Sequence, residues 1–381
     1  MIDYRLRLQS LQEKMEKKNL DLLVIGAGPD FQYITGAGLD WRRFRDLNYP
    51  ADAVFVPLDG EPILLAGMGS KSKAEESWIK DVRGLGMFED FHPAVKGIVN
   101  DIVDEPTRVA IGEYTWASMV LSVAKCCKGA KFSSAEGMMD KLRSIKSQDE
   151  ISRLRKVARL TDEVMGDVIE ELCEGDTMRE TTLKIETMGR RRKASDISFP
   201  TTAGFCKSNR PATEDVFNYG RDQGLESKTS IAFDVGFVLD GYCSDWGRSL
   251  YYGEPEDHIL NAYPALMTAV VETIDTIGEE VHRVNEIFPH IEKVCNREGY
   301  GEYLRNRHPN GVVGHQIGVE VHESPWLKPS NDDYLEDGMV FCMEPKLWHK
   351  EEYYLRVEDM VLVKNGKAES LTEYDRDRFQ L

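Results

Sequence analysis

The sequence predicts a two-domain α/β protein, with a mixed α/β domain over residues 1–145 and a strand-rich α+β domain over 146–381. Three observations carry this. Strand and helix signals alternate through the first 140 residues. A helix-start signature stands at Ser147-Gln-Asp-Glu150. Acidic residues and a histidine then interrupt apolar strand segments in the C-terminal half.

The first segment, residues 4–18, has the charged amphipathic pattern of a surface helix, unlike a signal peptide. LDLLVI reads as a strand, and AVFVPL and GEPILLA form a hairpin across Asp59-Gly60. RVAIGE and KFSSAE read as short strands separated by a helix. Alternation of this kind predicts a mixed sheet covered by helices. SIKSQDEI marks the domain boundary, where Ser147 and Glu150 have the spacing of a capping box. Apolar residues then recur at 151, 154, 157, 160, 164 and 168, a helical period. Further helices are expected near 258–283 and 284–299, on the outer face of the second domain's sheet. GRRRKAS at 189–195 reads as the solvated end of a helix.

The chemistry lies in Asp234, Asp245, His315, Glu344 and Glu358. An acid inside an apolar strand is costly unless its charge is cancelled. Four clustered carboxylates would also repel one another. Two divalent cations cancel four carboxylates, and a neutral histidine completes a ligand set for a dinuclear hydrolase. Spacing places the first pair. If Asp240-Gly241 is a two-residue turn, Leu239 faces Tyr242, Gly236 faces Asp245, and Asp234 faces Gly247. Asp234 and Asp245 then share a face as diagonal neighbours, about 7–8 Å apart. A second hairpin centred near Glu351 would set Glu344 opposite Glu358. His315 and His322 are an odd number of residues apart, so a regular strand would turn them to opposite faces. One of them must sit at a bend or have a separate role.

The strand segments DVGFVLDGYCSDWGRS, GHQIGVEVHESP, MEP and RVEDMVLV resemble the pita-bread metallopeptidases. These comprise methionine aminopeptidase, aminopeptidase P and prolidase, with creatinase as a metal-free relative. LDLLVIGAGPDFQYITG, ADAVFVPLDGEPILLA and MMDKLRSIKSQDEISRLRKVARLTDEV are similar to the prolidase and creatinase branch. The resemblance implies a creatinase-like N-terminal domain followed by a pita-bread catalytic domain. It implies that Asp234 holds one metal, that His315 and Glu344 hold the other, and that Asp245 and Glu358 bridge them. It also implies Glu344 as proton shuttle, with His322 and Arg356 lining the substrate pocket. The activity implied is hydrolysis of the amide bond before proline in short peptides. The alternative is a non-peptidase of the same fold, a creatinase-like C–N hydrolase or a dimethylsulfoniopropionate-lyase-like enzyme.

Three departures stand against the family pattern. Peptidases of this branch have a histidine after a proline upstream of the first metal aspartate. Here only His92 precedes Asp234, and Asn209-Arg210-Pro211 occupies the corresponding stretch. Arg210 is therefore expected to bind a substrate carboxylate, since its planar fork suits one but cannot act as a base. The usual SDxTR reads Ser244-Asp245-Trp246-Gly247-Arg248, and GHGIG has Gln316 at its third position.

Composition bounds the partners. A net charge of −18 argues against sequence-independent binding to nucleic acid or to an anionic membrane. No apolar run reaches transmembrane length. Seven scattered cysteines without a CxxC pair fit a reducing compartment, so a cytoplasmic protein is expected. Cys243 and Cys342 lie two residues from Asp245 and Glu344, on the same strand faces. The oxygen-rich set suits Mn, Co, Fe or Zn. Trp41, Arg42, Arg43, Phe44 and Arg45 would be costly as free surface. The resemblance to dimeric relatives makes this loop a candidate contact in a homodimer, the alternative being a loop tucked under its own domain.

Overall fold

Apolar strands and amphipathic helices sort the chain into two compact units, Met1–Arg143 and Ser144–Leu381. The computed structural model describes residues 2–39, 41–43, 51–208, 222–305, 311–350 and 352–381.

The first unit is a six-stranded mixed sheet in the order β4-β3-β2-β1-β5-β6. Its strands are β1 (Leu22–Gly26), β2 (Ala53–Pro57), β3 (Ile63–Ala66), β4 (Asp81–Gly84), β5 (Arg108–Ile111) and β6 (Lys131–Ser134). The central strands are buried on both faces, as their unbroken apolar runs require. The helices are α1 (Tyr4–Lys17), α2 (Pro29–Thr35), α3 (Lys71–Glu75), α4 (His92–Ile102), α5 (Ala117–Cys126) and α6 (Met138–Arg143). Val95, Ile98 and Val99 of α4 and Met119 and Val123 of α5 close one side of the core.

Trp41 decides between two expectations in favour of a residue tucked under its own domain. It is buried, donates its indole N–H to Gln32 Oε1 at 2.9 Å, and meets Tyr114 edge-on at 5.9 Å. The Arg42 guanidinium covers its ring at 4.2 Å. Trp41 is thus satisfied within its own unit, and its supposed exposure gives no reason for a dimer. Phe44 and Arg45 lie outside the described residues.

The second unit opens with the capping box. Ser147 Oγ accepts from Glu150 N–H, and the Glu150 carboxylate accepts from Ser147 N–H. The helix it starts, α7 (Gln148–Glu170), buries all six residues of the helical period. It packs with α8 (Met178–Arg191) against a three-stranded sheet, β12-β9-β8. The first group of strands is β7 (Asp196–Ile197), β8 (Thr202–Lys207), β9 (Thr229–Val235), β10 (Phe237–Leu239), β11 (Tyr242–Cys243) and β12 (Trp246–Tyr252). Arg190 and Arg191 end α8, and Arg192 just beyond it pairs with Glu163 and Asp167, so this basic run is a solvated helix end.

A second layer repeats the scheme. Here α9 (Asp257–Thr276) and α10 (Val284–Arg297) cover the sheet β14-β13-β15-β18-β19. Its strands are β13 (Gly314–Gln316), β14 (Glu323–Trp326), β15 (Val340–Met343), β18 (Asp359–Lys364) and β19 (Lys367–Ser370), with a separate hairpin of β16 (Lys346–His349) and β17 (Tyr353–Arg356). The helix expected to reach residue 283 stops at Thr276. The chain turns at Gly278, φ +87°, where a Cβ would lie 1.7 Å from the Gly366 carbonyl oxygen.

Candidate metal centre

The first hairpin has the register its turn demands. Leu239 pairs with Tyr242 and Asp234 with Gly247, and both Asp240 (φ +51°) and Gly241 (φ +82°) are left-handed. Ser244 braces the hairpin, its Oγ accepting from Phe237 N–H at 2.9 Å and meeting Thr161 Oγ1 at 2.7 Å. The second hairpin holds one register on either side of the glutamates: Met343 pairs with Asp359, and Lys346 with Arg356. Glu344 and Glu358 therefore sit opposite each other where β15 and β18 pass into β16 and β17. Glu358 also bridges back to Gly247, donating its N–H to the Gly247 carbonyl at 2.8 Å. That bridge joins the two layers at the acidic cluster.

The two histidines do come together, against the strand argument. The chain leaves β13 after Gln316 and returns as β14 at Glu323, so they do not share one strand. His315 and His322 meet edge-on at 4.4 Å, and His322 stacks on Trp326 at 5.3 Å. His315 Nδ1–H donates to the Gln316 carbonyl at 3.0 Å. That leaves Nε2 as the acceptor facing the cluster, 3.4 Å from Asp245 Oδ2. Partial burial, then the neighbouring His315, lowers the pKa of His322.

Arg356 lies in the middle of the acids. Its guanidinium bonds Asp234 through Nη1, Glu344 through Nη2 at 3.0 Å and Glu358 through Nε at 3.0 Å. Lys346 Nζ also pairs with Glu344. Four carboxylates are thus set against two cations. The imbalance shows in the acids. Burial, then the negative charge of Asp234, pushes Asp245 well above the carboxylate range. Burial and its acidic neighbours do the same to Glu358, despite Arg356. Burial would raise Glu344 too, but Lys346 and Arg356 outweigh it and hold Glu344 at about 2.

Two buried oxygens, Asp245 Oδ1 and Glu358 Oε1, have no hydrogen-bond partner. One atom each from Asp245, His315, Cys342 and Glu358 lies within 4.8 Å of the others. An oriented imidazole nitrogen, two orphaned carboxylate oxygens and two uncompensated negative charges fit a divalent cation. Cys342 enters this group because it pairs with His315 across the sheet and, two residues before Glu344, shares its face. Burial, then Asp245, pushes its thiol pKa well up. Cys243 instead meets the Val319 carbonyl at 3.4 Å.

Both sequence departures within the described residues have structural reasons. A Cβ at Gly247 would collide with Arg356. Gln316 accepts at 2.7 Å from the buried Lys146 ammonium, which also reaches Glu323 at 3.3 Å. Arg210 lies outside the described residues. Sequence reasoning missed Lys346, Trp326 and Lys146. Lys346 had a findable signal, since it follows the Glu344-Pro345 pair within the second hairpin.

Residues 7–145 match the Creatinase/Prolidase N-terminal domain, and residues 152–365 match metallopeptidase family M24. An uncharacterized peptidase of Staphylococcus aureus (strain MW2) is 31% identical over 245 residues, covering 64% of this chain and 67% of that protein. Among solved structures, a dipeptidase from Pyrococcus horikoshii OT3 superposes with a TM-score of 0.85 at 23% identity, over 98% of this chain and 100% of that one. An Xaa-Pro dipeptidase from Bacillus anthracis superposes with a TM-score of 0.83 at 20% identity, over 100% of both chains. The creatinase-type N-terminal domain and the pita-bread catalytic domain are therefore both present, and the chain belongs to metallopeptidase family M24.

Proposed function

We propose that the protein is a dinuclear metallohydrolase that cleaves the amide bond before proline in short peptides, as an Xaa-Pro dipeptidase or aminopeptidase. The observation that supports the reading is the pair of orphaned oxygens on Asp245 and Glu358 beside the His315 imidazole. The charge left over by Arg356 and Lys346 calls for one divalent ion, and the second rests on the family resemblance. Asp234, Asp245, His315, Glu344 and Glu358 would hold two divalent ions, with Mn, Co, Fe and Zn all compatible with the donors. Bound ions would polarise the scissile carbonyl and make water acidic enough to attack near neutral pH. Glu344 accepts the proton of the attacking water and delivers it to the proline nitrogen as the C–N bond breaks. His322 and Arg356 orient the substrate, His322 from the rim beside Trp326. Arg210 remains a proposed contact for a substrate carboxylate.

The seven unbridged cysteines are consistent with a reducing, cytoplasmic setting. Among the described residues no helix is long and apolar enough to cross a membrane. A homodimer is proposed from the resemblance alone. The substrate is a short peptide, with neither nucleic acid nor membrane as partner. One observation favours a second reading, a non-peptidase acting on a small metabolite: no histidine other than His92 precedes Asp234.

The test is a substrate panel run with each metal. It contains Xaa-Pro dipeptides, longer Xaa-Pro peptides, creatine-like amidines and sulfonium compounds. Cleavage of Xaa-Pro dipeptides is expected. Turnover of an amidine or sulfonium compound, with every peptide left intact, would establish the second reading instead.

A further inference from the structure

Lys346 faces Arg356 directly across the β16–β17 hairpin, so both side chains leave the same face. Both are largely buried and both donate to Glu344 Oε2. Arg356 has two further carboxylates, Asp234 and Glu358. Among the described residues Lys346 has one carboxylate partner, Glu344.

Charge counting gives this difference a consequence. Asp234, Asp245, Glu344 and Glu358 carry four negative charges when ionised, and Arg356 and Lys346 carry two positive ones. One divalent ion neutralises the set, and a second leaves it with a double positive charge. The hydroxide that water provides removes one of these. The remaining positive charge, among largely buried residues, favours one substrate anion. Glu344 is also one of the proposed metal ligands. When it serves an ion, its negative charge is shared, and the Lys346 ammonium is left with donors for a second anion.

We propose that Lys346 is a specificity-determining residue whose ammonium receives a carboxylate of the substrate, selecting short peptides with a free C-terminus. This rests on the dinuclear reading above and adds the chemical class of the substrate. A peptide with its carboxylate one residue beyond the scissile bond brings the anion to the centre. An amidated or longer chain does not.

The experiment uses full-length, metal-loaded protein and a non-cleavable probe. The probe is an Ala-Pro analogue with the scissile carbonyl reduced to methylene, as free acid and as C-terminal amide. Calorimetry gives the acid-to-amide affinity ratio for the unaltered protein and for Lys346→Met and Lys346→Arg, each first checked for a cooperative thermal transition. The unaltered protein should favour the acid ten-fold or more, as a charge-assisted hydrogen bond allows. Lys346→Met should lower the ratio several-fold, leaving what Arg210 contributes, and Lys346→Arg should restore part of it. A ratio unchanged in Lys346→Met, or no acid preference at the start, overturns the proposal. A Lys346 that merely braced Glu344 would weaken acid and amide alike. Parallel hydrolysis of Ala-Pro separates the two readings. Cleavage without acid preference removes only the role of Lys346, whereas acid preference without cleavage keeps that role and removes the peptidase reading.

Discussion

A Cβ at Gly247 would lie 2.7 Å from Arg356 Nε and 2.9 Å from Glu358 Cβ. The residue at 247 therefore controls whether the guanidinium can reach Asp234, Glu344 and Glu358 from β17.

Gly247→Ala and Gly247→Thr should form a graded series. Overpacking of this kind costs about 1–3 kcal/mol, and the larger side chain should move Arg356 out of the cluster. Thermal unfolding should show both variants destabilised, Thr more than Ala, and peptidase turnover should fall in the same order. Full stability and turnover in Gly247→Thr would mean that Arg356 does not depend on this space.

Lys146 secures the hairpin that carries both histidines. Its ammonium lies within 2.7 Å of Gln316 Oε1 and 3.3 Å of Glu323 Oε2, with almost no side-chain exposure. Lys146→Met removes this cation from a buried carboxylate, a change that costs about 3–5 kcal/mol. Adding Glu323→Gln should recover part of that loss, because the two residues interact directly. Denaturant unfolding of the two single variants and the double variant measures the coupling. Strict additivity would deny it.

Asp162 gives the fold a pH-dependent term away from the metal centre. Burial raises its pKa to about 6, although it accepts from Trp246 Nε1 at 2.9 Å and from Glu373 N–H at 2.8 Å. The folded protein thus holds this proton more tightly than the unfolded chain, whose value is near 3.8. The stabilising contribution is complete below about pH 4 and is lost as pH rises through about 6, amounting to roughly 3 kcal/mol. Asp162→Asn should remove this slope from the stability profile between those limits, whatever its absolute stability. An identical slope in both proteins would place the titration elsewhere.

Much of this was legible in the sequence because turns fix register. The left-handed Asp240-Gly241 turn commits every residue of its hairpin, so the facing of Asp234 and Gly247 follows by counting. Glu344 and Glu358 follow from the second hairpin, even though Glu351 itself lies outside the described residues. The meeting of His315 and His322 was not legible in this way. Periodicity treats GHQIGVEVHE as one strand, whereas the chain turns back inside it. The buried pairing of Lys146 with Gln316 joins residues 170 apart in sequence, which no local pattern records. Trp41 was legible as a residue needing cover but not by what: composition left a partner subunit and its own domain open, and its partners Gln32 and Tyr114 come from elsewhere in the same unit.

The most direct test of the central claim is elemental analysis of protein stripped of metal, reloaded with Mn, Co, Fe or Zn and freed of excess. The account predicts two divalent ions per chain. Asp234→Ala should lose mainly one ion. Asp245→Ala should lose both, since its carboxylate would serve each. Two ions retained in Asp245→Ala, or no bound transition metal in the unaltered protein under any loading condition, would contradict it.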